Sequence, residues 1–176
     1  KPITATGFMV LVERGLVDLD EQVNHYLGKA KLKAFRGEVS EATVQRLLHH
    51  TAGLPTHWNF FYDDKPQPRP SMDTAISRYG IVVAPPGMIY NYSNFAYGIL
   101  DYIIERVTEK SYPDFMKSEV FDPLDLKNTA VFTSRPPDEL VAERYWPQKK
   151  GPIPFYDFDH RGASGVYSSA HDLVRF

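Results

Sequence analysis

The stretch that decides the fold runs from residue 86 to residue 109 and reads PGMIYNYSNFAYGILDYIIERVTE. A Pro-Gly turn opens it, and apolar side chains then recur at the spacing of one helix face, at positions 95, 99, 103 and 107. This pattern predicts an amphipathic helix over roughly residues 94–109, the strongest such pattern in the chain. Ser93 or Asn94 is predicted to cap its first turn, because a short polar side chain at that position accepts a hydrogen bond from a free backbone N–H.

Outward from this helix, turn and capping residues divide the chain into further short helices. The predicted helices cover residues 1–14, a segment capped by Asp20, a segment led by residues 40–43, residues 71–79, a segment capped by Ser111 and a segment capped by Ser169. Residues 55–70 are predicted to form a long loop rich in aromatic side chains, and short strands are predicted only at 130–132 and 165–167. The sequence therefore predicts a mostly helical body with long connections.

Composition excludes several classes of protein. The 176 residues are 43% hydrophobic and 24% charged, with a formal net charge of −2, which favours a folded domain over disorder. The basic excess that a nucleic-acid partner requires is missing. The longest apolar run, residues 7–12, is far shorter than the roughly 18 residues of a transmembrane helix. The absence of cysteine excludes disulfides, a thiolate zinc site and a thiol nucleophile within these residues.

Both ends of the sequence lie in predicted helices that lack part of their normal context. Pro2 stands in a first turn with no capping residue before Lys1, and the helix that begins after Ser169 reaches only Phe176. We therefore expect residues 1–176 to be a partial domain that is truncated at both ends.

Five segments, in order, resemble one superfamily. The similarity is to the serine β-lactamases and penicillin-binding proteins, and most closely to the branch of class C β-lactamases, D-alanyl-D-alanine peptidases and related esterases. The five segments are KPITATGFMVLVERGLVDLD (1–20), VQRLLHHTAGLP (44–55), PGMIYNYSNFAY (86–97), FDPLDLKNT (121–129) and GASGVYSSAHDL (162–173). The resemblance implies the α/β (α+β) β-lactamase/transpeptidase-like fold. The chain would then cover mainly its helical subdomain, with most sheet strands missing.

The resemblance also implies three active-site motifs. Lys1 matches the lysine of S-x-x-K, whose serine would stand three positions before Lys1, and no serine in the chain has a lysine three residues later. Tyr92 and Asn94 complete the second motif, Y-x-N. The third motif, K-T-G or H-x-G, is expected beyond Phe176. The letters of residues 160–162 match H-x-G, but we interpret that match as a coincidence, because the family has no third motif at this place.

The chemistry of this family assigns a role to each of these residues. A serine hydroxyl needs a base to become a nucleophile, and Lys1 with Tyr92 would activate it as the catalytic pair. Asn94 would orient the substrate carbonyl, and Trp58, in the aromatic segment 57–62, is a candidate for the substrate-binding wall. The resulting acyl-enzyme would form on a β-lactam, a D-Ala-D-Ala peptide or a small carboxylic ester. No metal and no organic cofactor is implied, and the partner is a small-molecule or peptide substrate.

Other interpretations remain open at this point. The chain could be a non-catalytic helical module, or a degenerate relative with a binding role only; without the serine, the isolated 176 residues are expected to be inactive. A metal-dependent hydrolase would use Asp157, Asp159 and His160, whereas the adjacent His49 and His50 favour capping or core hydrogen bonds. The resemblance implies a periplasmic or membrane-associated protein, but the sequence itself assigns neither the compartment, the oligomeric state nor the substrate.

Overall fold

The computed structural model describes residues 1–65, 67–137, 141–148 and 151–176. It is mostly helical, as predicted. Within the described residues, no helix combines the length and apolar character needed to cross a bilayer. The helices are α1 (Pro2–Glu13), α2 (Val23–Tyr26), α3 (Val44–Leu48), α4 (Met72–Tyr79), α5 (Asn94–Thr108), α6 (Tyr112–Met116), α7 (Arg161–Ser164) and α8 (Ala170–Arg175). A 3₁₀ turn covers Val39–Glu41, and a π-helical turn covers Lys117–Phe121.

The strands are short and form three separate pairs. They are β1 (Lys33–Ala34), β2 (Phe60–Tyr62), β3 (Ile81–Val82), β4 (Ala130–Val131), β5 (Tyr156–Phe158) and β6 (Val166–Tyr167). β1 pairs with β3 in parallel, while β2 pairs with β5 and β4 with β6 in antiparallel register. The predicted strands at 130–132 and 165–167 are confirmed, but the predicted loop 55–70 contains β2. The β2–β5 pair places the segment around residue 57 beside the segment around residue 159.

Helix boundaries follow the capping side chains closely. Ser93 Oγ accepts a 3.0 Å hydrogen bond from the N–H of Ala96, which confirms Ser93 as the cap of α5. The predicted cap at Asp20 is wrong: α2 begins at Val23, and Gln22 is its N-cap. The N–H of Asp20 instead donates to the carboxylate of Asp18, in a turn that precedes the helix.

Helix α5 is the centre of the core. It packs against α1, α2, α3, α6 and α7. Its buried apolar side chains are Phe95, Ala96, Tyr97, Ile99, Leu100, Ile103 and Ile104. Burial of a single large apolar side chain stabilises a fold by about 1.5–3 kcal/mol, so contacts on several sides fix α5 firmly. The start of α5 is therefore a rigid platform for the residues around it.

Two glycines allow α7 to lie against α5 at backbone distance. A Cβ atom on Gly98 would come within 2.8 Å of the Cα of His160, and one on Gly162 would overlap the carbonyl oxygen of Tyr97. Neither position therefore accommodates a side chain without movement of the backbone. This close approach brings residues 160–163 alongside the first two turns of α5.

Candidate active site

Lys1 and Asn94 meet at the start of α5. Lys1 immediately precedes α1, and Asn94 is the first residue of α5 and is almost fully buried. The Nζ of Lys1 donates a 2.7 Å hydrogen bond to Oδ1 of Asn94, and it lies 3.4 Å from the carbonyl oxygen of Ala163. The contact of α1 with α5 thus brings the amine of Lys1 to Asn94, one of the two residues of the Y-x-N motif.

Tyr92 lies on the same side of this amine. The Nζ of Lys1 is 4.5 Å from the centroid of the Tyr92 ring, a cation–π distance. Tyr92 is 42% exposed, so a molecule in solvent can reach the residue. The structure therefore brings Lys1, Tyr92 and Asn94 together, with the lysine over the face of the phenol ring.

A loop holds Asn94 from the other side. The backbone N–H of Asn94 donates to the carbonyl of Thr56 at 2.9 Å, and its Nδ2 donates to the carbonyl of His57 at 3.2 Å. Ser93 Oγ donates to the carbonyl of Pro55 at 2.7 Å. These bonds orient the amide with its oxygen toward Lys1. A side-chain amide carries two N–H donors, so one N–H of Asn94 remains for a further acceptor.

Trp58, the predicted substrate-binding residue, follows His57 on this loop. Its side chain is 61% exposed, which suits a wall that faces solvent. Its ring stacks with Phe60 at a centroid distance of 6.0 Å and meets His160 edge-on at 6.5 Å. The described ring contacts of Trp58 are therefore with the β2 side of the loop rather than with Lys1 or Tyr92.

A buried carboxylate, Asp159, contacts two histidines beside this loop, and sequence reasoning missed its pairing with His57. His57 Nε2 lies 3.0 and 2.9 Å from the two carboxylate oxygens of Asp159, and His160 Nδ1 lies 2.7 Å from Oδ1. Burial opposes ionisation of Asp159, but the hydrogen bonds from His160 and His57 outweigh it and hold the pKa of this carboxyl well below its usual range. No local pattern could reveal the pair, because His57 and Asp159 are 102 positions apart.

The same three side chains could hold a metal ion, since their ligand atoms lie within 4.8 Å of one another. Asp157, which the sequence had grouped with them, pairs instead with Arg161, whose Nε is 2.9 Å from Oδ1. Both histidines already contact Asp159 at hydrogen-bond distances, which satisfies the buried carboxylate without a cation. Among the described residues, Nε2 of His160 is buried and has no hydrogen-bond partner.

A second buried network fixes Gly162, next to the carbonyl that faces Lys1. Thr4 Oγ1 donates to the carbonyl of Gly162 at 2.6 Å, so its 2.8 Å contact with the Tyr112 hydroxyl must be donated by the tyrosine. The N–H of Gly162 donates to Oδ2 of Asp101 at 2.5 Å. Burial raises the pKa of Asp101 to about 8. Side chains of α1, α5 and α6 thus converge on one turn of α7.

The comparisons with known proteins identify the family and the fold of the chain. The profile of the β-lactamase family matches residues 1–176, and the chain belongs to this family. Penicillin-binding protein 4 of Amycolatopsis lactamdurans is 30% identical over the whole chain, which covers 47% of that protein. Penicillin-binding protein 4* of Bacillus subtilis is 28% identical over 80% of the chain and 31% of its own length. The resemblance to the β-lactamase and penicillin-binding-protein superfamily is thereby confirmed.

A solved structure of a related enzyme has the same fold as this chain. The D-amino acid amidase of Ochrobactrum anthropi, in complex with D-phenylalanine, superposes on 99% of the chain with a TM-score of 0.73 and 27% identity. The match covers 52% of that enzyme. The chain thus has the β-lactamase/transpeptidase-like fold, and it spans less than half the length of the two penicillin-binding proteins above.

Proposed function

We propose that this chain forms the lysine, tyrosine and asparagine part of the active site of a serine hydrolase. The observation that carries the proposal is the position of the Lys1 amine, 2.7 Å from Oδ1 of Asn94 and 4.5 Å from the centroid of the Tyr92 ring. The nucleophile that the proposal requires is a serine three positions before Lys1. One helical turn would then separate the two side chains, which is a distance that a hydrogen bond can bridge.

The proposed reaction proceeds through an acyl-enzyme. In this proposal Tyr92 acts as a phenolate whose negative charge is stabilised by the ammonium of Lys1. The serine oxygen attacks the carbonyl carbon of an amide or ester while its proton passes to the phenolate oxygen of Tyr92. The free N–H of Asn94 donates to the substrate and orients it. Tyr92 returns the proton to the leaving amine or alcohol. Water then hydrolyses the ester to the serine and releases the acid.

The proposed substrates carry a carboxylic amide or ester. Support comes from the relatives, which include penicillin-binding proteins and a D-amino acid amidase. Trp58 is proposed as one wall of the substrate site, because its exposed ring follows the residue whose carbonyl holds Asn94. A β-lactam, a D-Ala-D-Ala peptide and a short ester all satisfy this chemistry.

The test compares matched variants of the full-length protein that carries these residues. Lys1→Gln and Tyr92→Phe are expected to reduce kcat/KM by about 10²- to 10⁴-fold, the usual contribution of a proton-transfer group. Lys33→Gln, at an exposed position of β1, and Tyr62→Phe, at a half-buried position of β2, make the same changes away from the site, and we expect no effect. Initial rates are measured with a chromogenic cephalosporin, a D-alanyl-D-alanine peptide and a short-chain nitrophenyl ester.

Intact-mass spectrometry of the protein mixed with each substrate supplies the second readout. A mass increase equal to the acyl group, absent from the two active-site variants, supports the serine mechanism. Wild-type rates in both variants would overturn the assignment of Lys1 and Tyr92. A turnover that needs a divalent cation and leaves no adduct would favour a metal hydrolase, and the absence of both turnover and adduct would favour a binding module.

A further inference from the structure

His50 occupies an unusual place between α3 and the segment that carries Tyr92. Its backbone is left-handed, with φ at 60°, a conformation that is uncommon outside glycine but that histidine, asparagine and aspartate adopt more often than other residues. The residue is buried, with 9% exposure. The bend directs both its carbonyl and its ring toward the residues that lead into α5.

Two hydrogen bonds from this one residue bracket Tyr92. The carbonyl of His50 accepts the N–H of Asn91 at 2.8 Å, and the Nδ1 atom of its ring accepts the N–H of Ser93 at 3.1 Å. A backbone N–H can only donate, so Nδ1 must carry a lone pair and any proton of the neutral ring lies on Nε2. A charged imidazolium has no acceptor, and the bond to Ser93 would be lost in that form.

The ring of His50 also packs directly against the proposed catalytic residue. Its centroid lies 4.5 Å from that of Tyr92, and 5.2 and 5.7 Å from those of Tyr97 and Tyr90. The ring of Tyr92 is therefore placed both by its own backbone, through the two hydrogen bonds, and by contact with the imidazole. Lys1 lies above that same tyrosine ring.

The surroundings keep the imidazole neutral. Burial is the main cause that lowers the pKa of His50, and the positive charge of the Lys1 side chain adds to it. The groups that face the ring are Lys1, immediately before α1, and the phenols of Tyr90, Tyr92 and Tyr97, before and on α5. The lowered pKa of His50 therefore favours the neutral ring, which is the form whose Nδ1 can accept the hydrogen bond from Ser93.

We propose that His50 is a positioning residue, whose neutral ring and carbonyl hold the backbone of residues 91–93 so that Tyr92 and Asn94 face Lys1. The catalytic meaning of this proposal rests on the proposed function. The structural part does not, because a hydrogen bond to the N–H of Ser93 exists whether or not the protein hydrolyses anything.

The test uses substitutions that separate the acceptor from the bulk of the ring. His50→Asn places Oδ1 where Nδ1 stands and tolerates the left-handed backbone, while His50→Gln and His50→Ala remove the acceptor at that position. We expect a loss in kcat of about 100-fold for His50→Ala and His50→Gln, as for a small misplacement of reacting groups. KM should change little, and His50→Asn should stay within a few-fold of wild type. His49→Asn, one residue earlier, is the matched control.

Amide hydrogen exchange at Ser93, followed by NMR, decides the structural part without turnover. The Ser93 amide should be protected in wild type, His50→Asn and His49→Asn, and should exchange faster in His50→Ala and His50→Gln. In the wild type alone, protection at Ser93 should be lost at the pH at which the His50 ring titrates, and this arm holds even if a variant fails to fold. We also expect kcat/KM of the wild type to fall at low pH as the His50 ring becomes protonated. This fall should be absent from the pH profile of His50→Asn.

Three results would overturn the proposal: unchanged Ser93 protection in a folded His50→Ala, a Ser93 amide that does not respond to the His50 titration, or a His50→Asn variant as impaired as His50→Ala. An inactive wild type with the expected Ser93 exchange would instead refute the proposed function while the positioning of residues 91–93 by His50 stands.

Discussion

Lys1 and Asn94 are 93 positions apart in the chain, and the Nζ of the first lies 2.7 Å from Oδ1 of the second. The same asparagine amide donates to the carbonyl of His57. One buried side chain thus connects α1, α5 and the loop before β2, and its oxygen and nitrogen ends are not interchangeable. The predictions below test this arrangement and the networks that support it.

Asn94→Asp separates the two ends of the amide. The carboxylate still accepts from Lys1, but it cannot donate to the carbonyl of His57 or to a substrate. We expect kcat/KM to fall by about 100-fold, because the substrate loses its orienting donor. Gln45→Glu, the same exchange on the exposed side of α3, is expected to leave kcat/KM unchanged. An active Asn94→Asp variant would remove Asn94 from the proposed site.

Thr4→Val tests the network that holds Gly162. The change preserves the shape of a fully buried side chain but leaves the Tyr112 hydroxyl and the Gly162 carbonyl without their partner. Each unpaired buried polar group costs about 1–3 kcal/mol, so we expect the free energy of unfolding to fall by at least that amount. Urea denaturation measures it. Thr6→Val, on the exposed side of α1, should change it by less than about 0.5 kcal/mol.

Asp101 predicts a pH dependence of stability. Its folded pKa of about 8 lies above that of an unfolded aspartate, so the folded state binds the additional proton between these two values. The stabilisation is complete below the unfolded pKa and is lost as the pH rises through about 8, with a slope that approaches about 1.4 kcal/mol per pH unit. We expect Asp101→Asn to flatten this slope in thermal melts between pH 5 and pH 9, while Asp64→Asn, at an exposed site, retains it. An unchanged slope in Asp101→Asn would show that Asp101 does not titrate in this range.

Asp159 gives a pH dependence of stability that is opposite in sign to that of Asp101. Its folded pKa is depressed, so its ionised form stabilises the fold above the unfolded pKa, and this stabilisation is lost as the pH falls through the folded value. Asp159→Asn replaces an acceptor of two ring N–H groups with a weaker one and is expected to lower the free energy of unfolding at pH 7 by about 1–3 kcal/mol. Asp63→Asn, near β2 but exposed, is the control.

The same melts test the metal interpretation of this cluster. Because the carboxylate already accepts from both rings, we expect EDTA to leave the melting temperature of the wild type unchanged and added Zn²⁺ to raise it no more than in Asp159→Asn. A rise with Zn²⁺ that requires Asp159, His57 and His160 would identify a cation site instead.

The sequence predicted those parts of the structure that depend on neighbouring residues. Ser93, Ser111 and Ser169 cap helices as expected, because each hydroxyl reaches an N–H only three residues ahead. The two-residue strands β1 and β3 gave no signal, since their pairing joins residues 48 positions apart, such as Lys33 and Ile81. Asp20 is not a cap because α2 begins only at Val23, and Asp20 lies in the turn before it, where its backbone N–H donates to the carboxylate of Asp18.

Within the candidate site, too, some residues were predicted from the sequence and others became evident only in the structure. Lys1, Tyr92 and Asn94 were recognised from motifs, whose letters stand close together or at a fixed order in the chain. The roles of His57 and Asp159 came only from the structure, because a long-range pair leaves no pattern in either segment. For His50 the sequence indicated a core or capping hydrogen bond, but not that the partner is the backbone beside Tyr92.

The contacts of the Lys1 amine have a consequence for how any measured rate is read. These contacts link Lys1 to Asn94, 93 positions away, and to Ala163, 162 positions away. If any one of these segments detaches, the arrangement around the Lys1 amine is lost. A preparation in which half of the molecules are unfolded should then behave as a mixture of fully active and inactive molecules. Its Michaelis constant should be unaltered and its maximal velocity halved. The maximal velocity would therefore be proportional to the fraction of folded molecules.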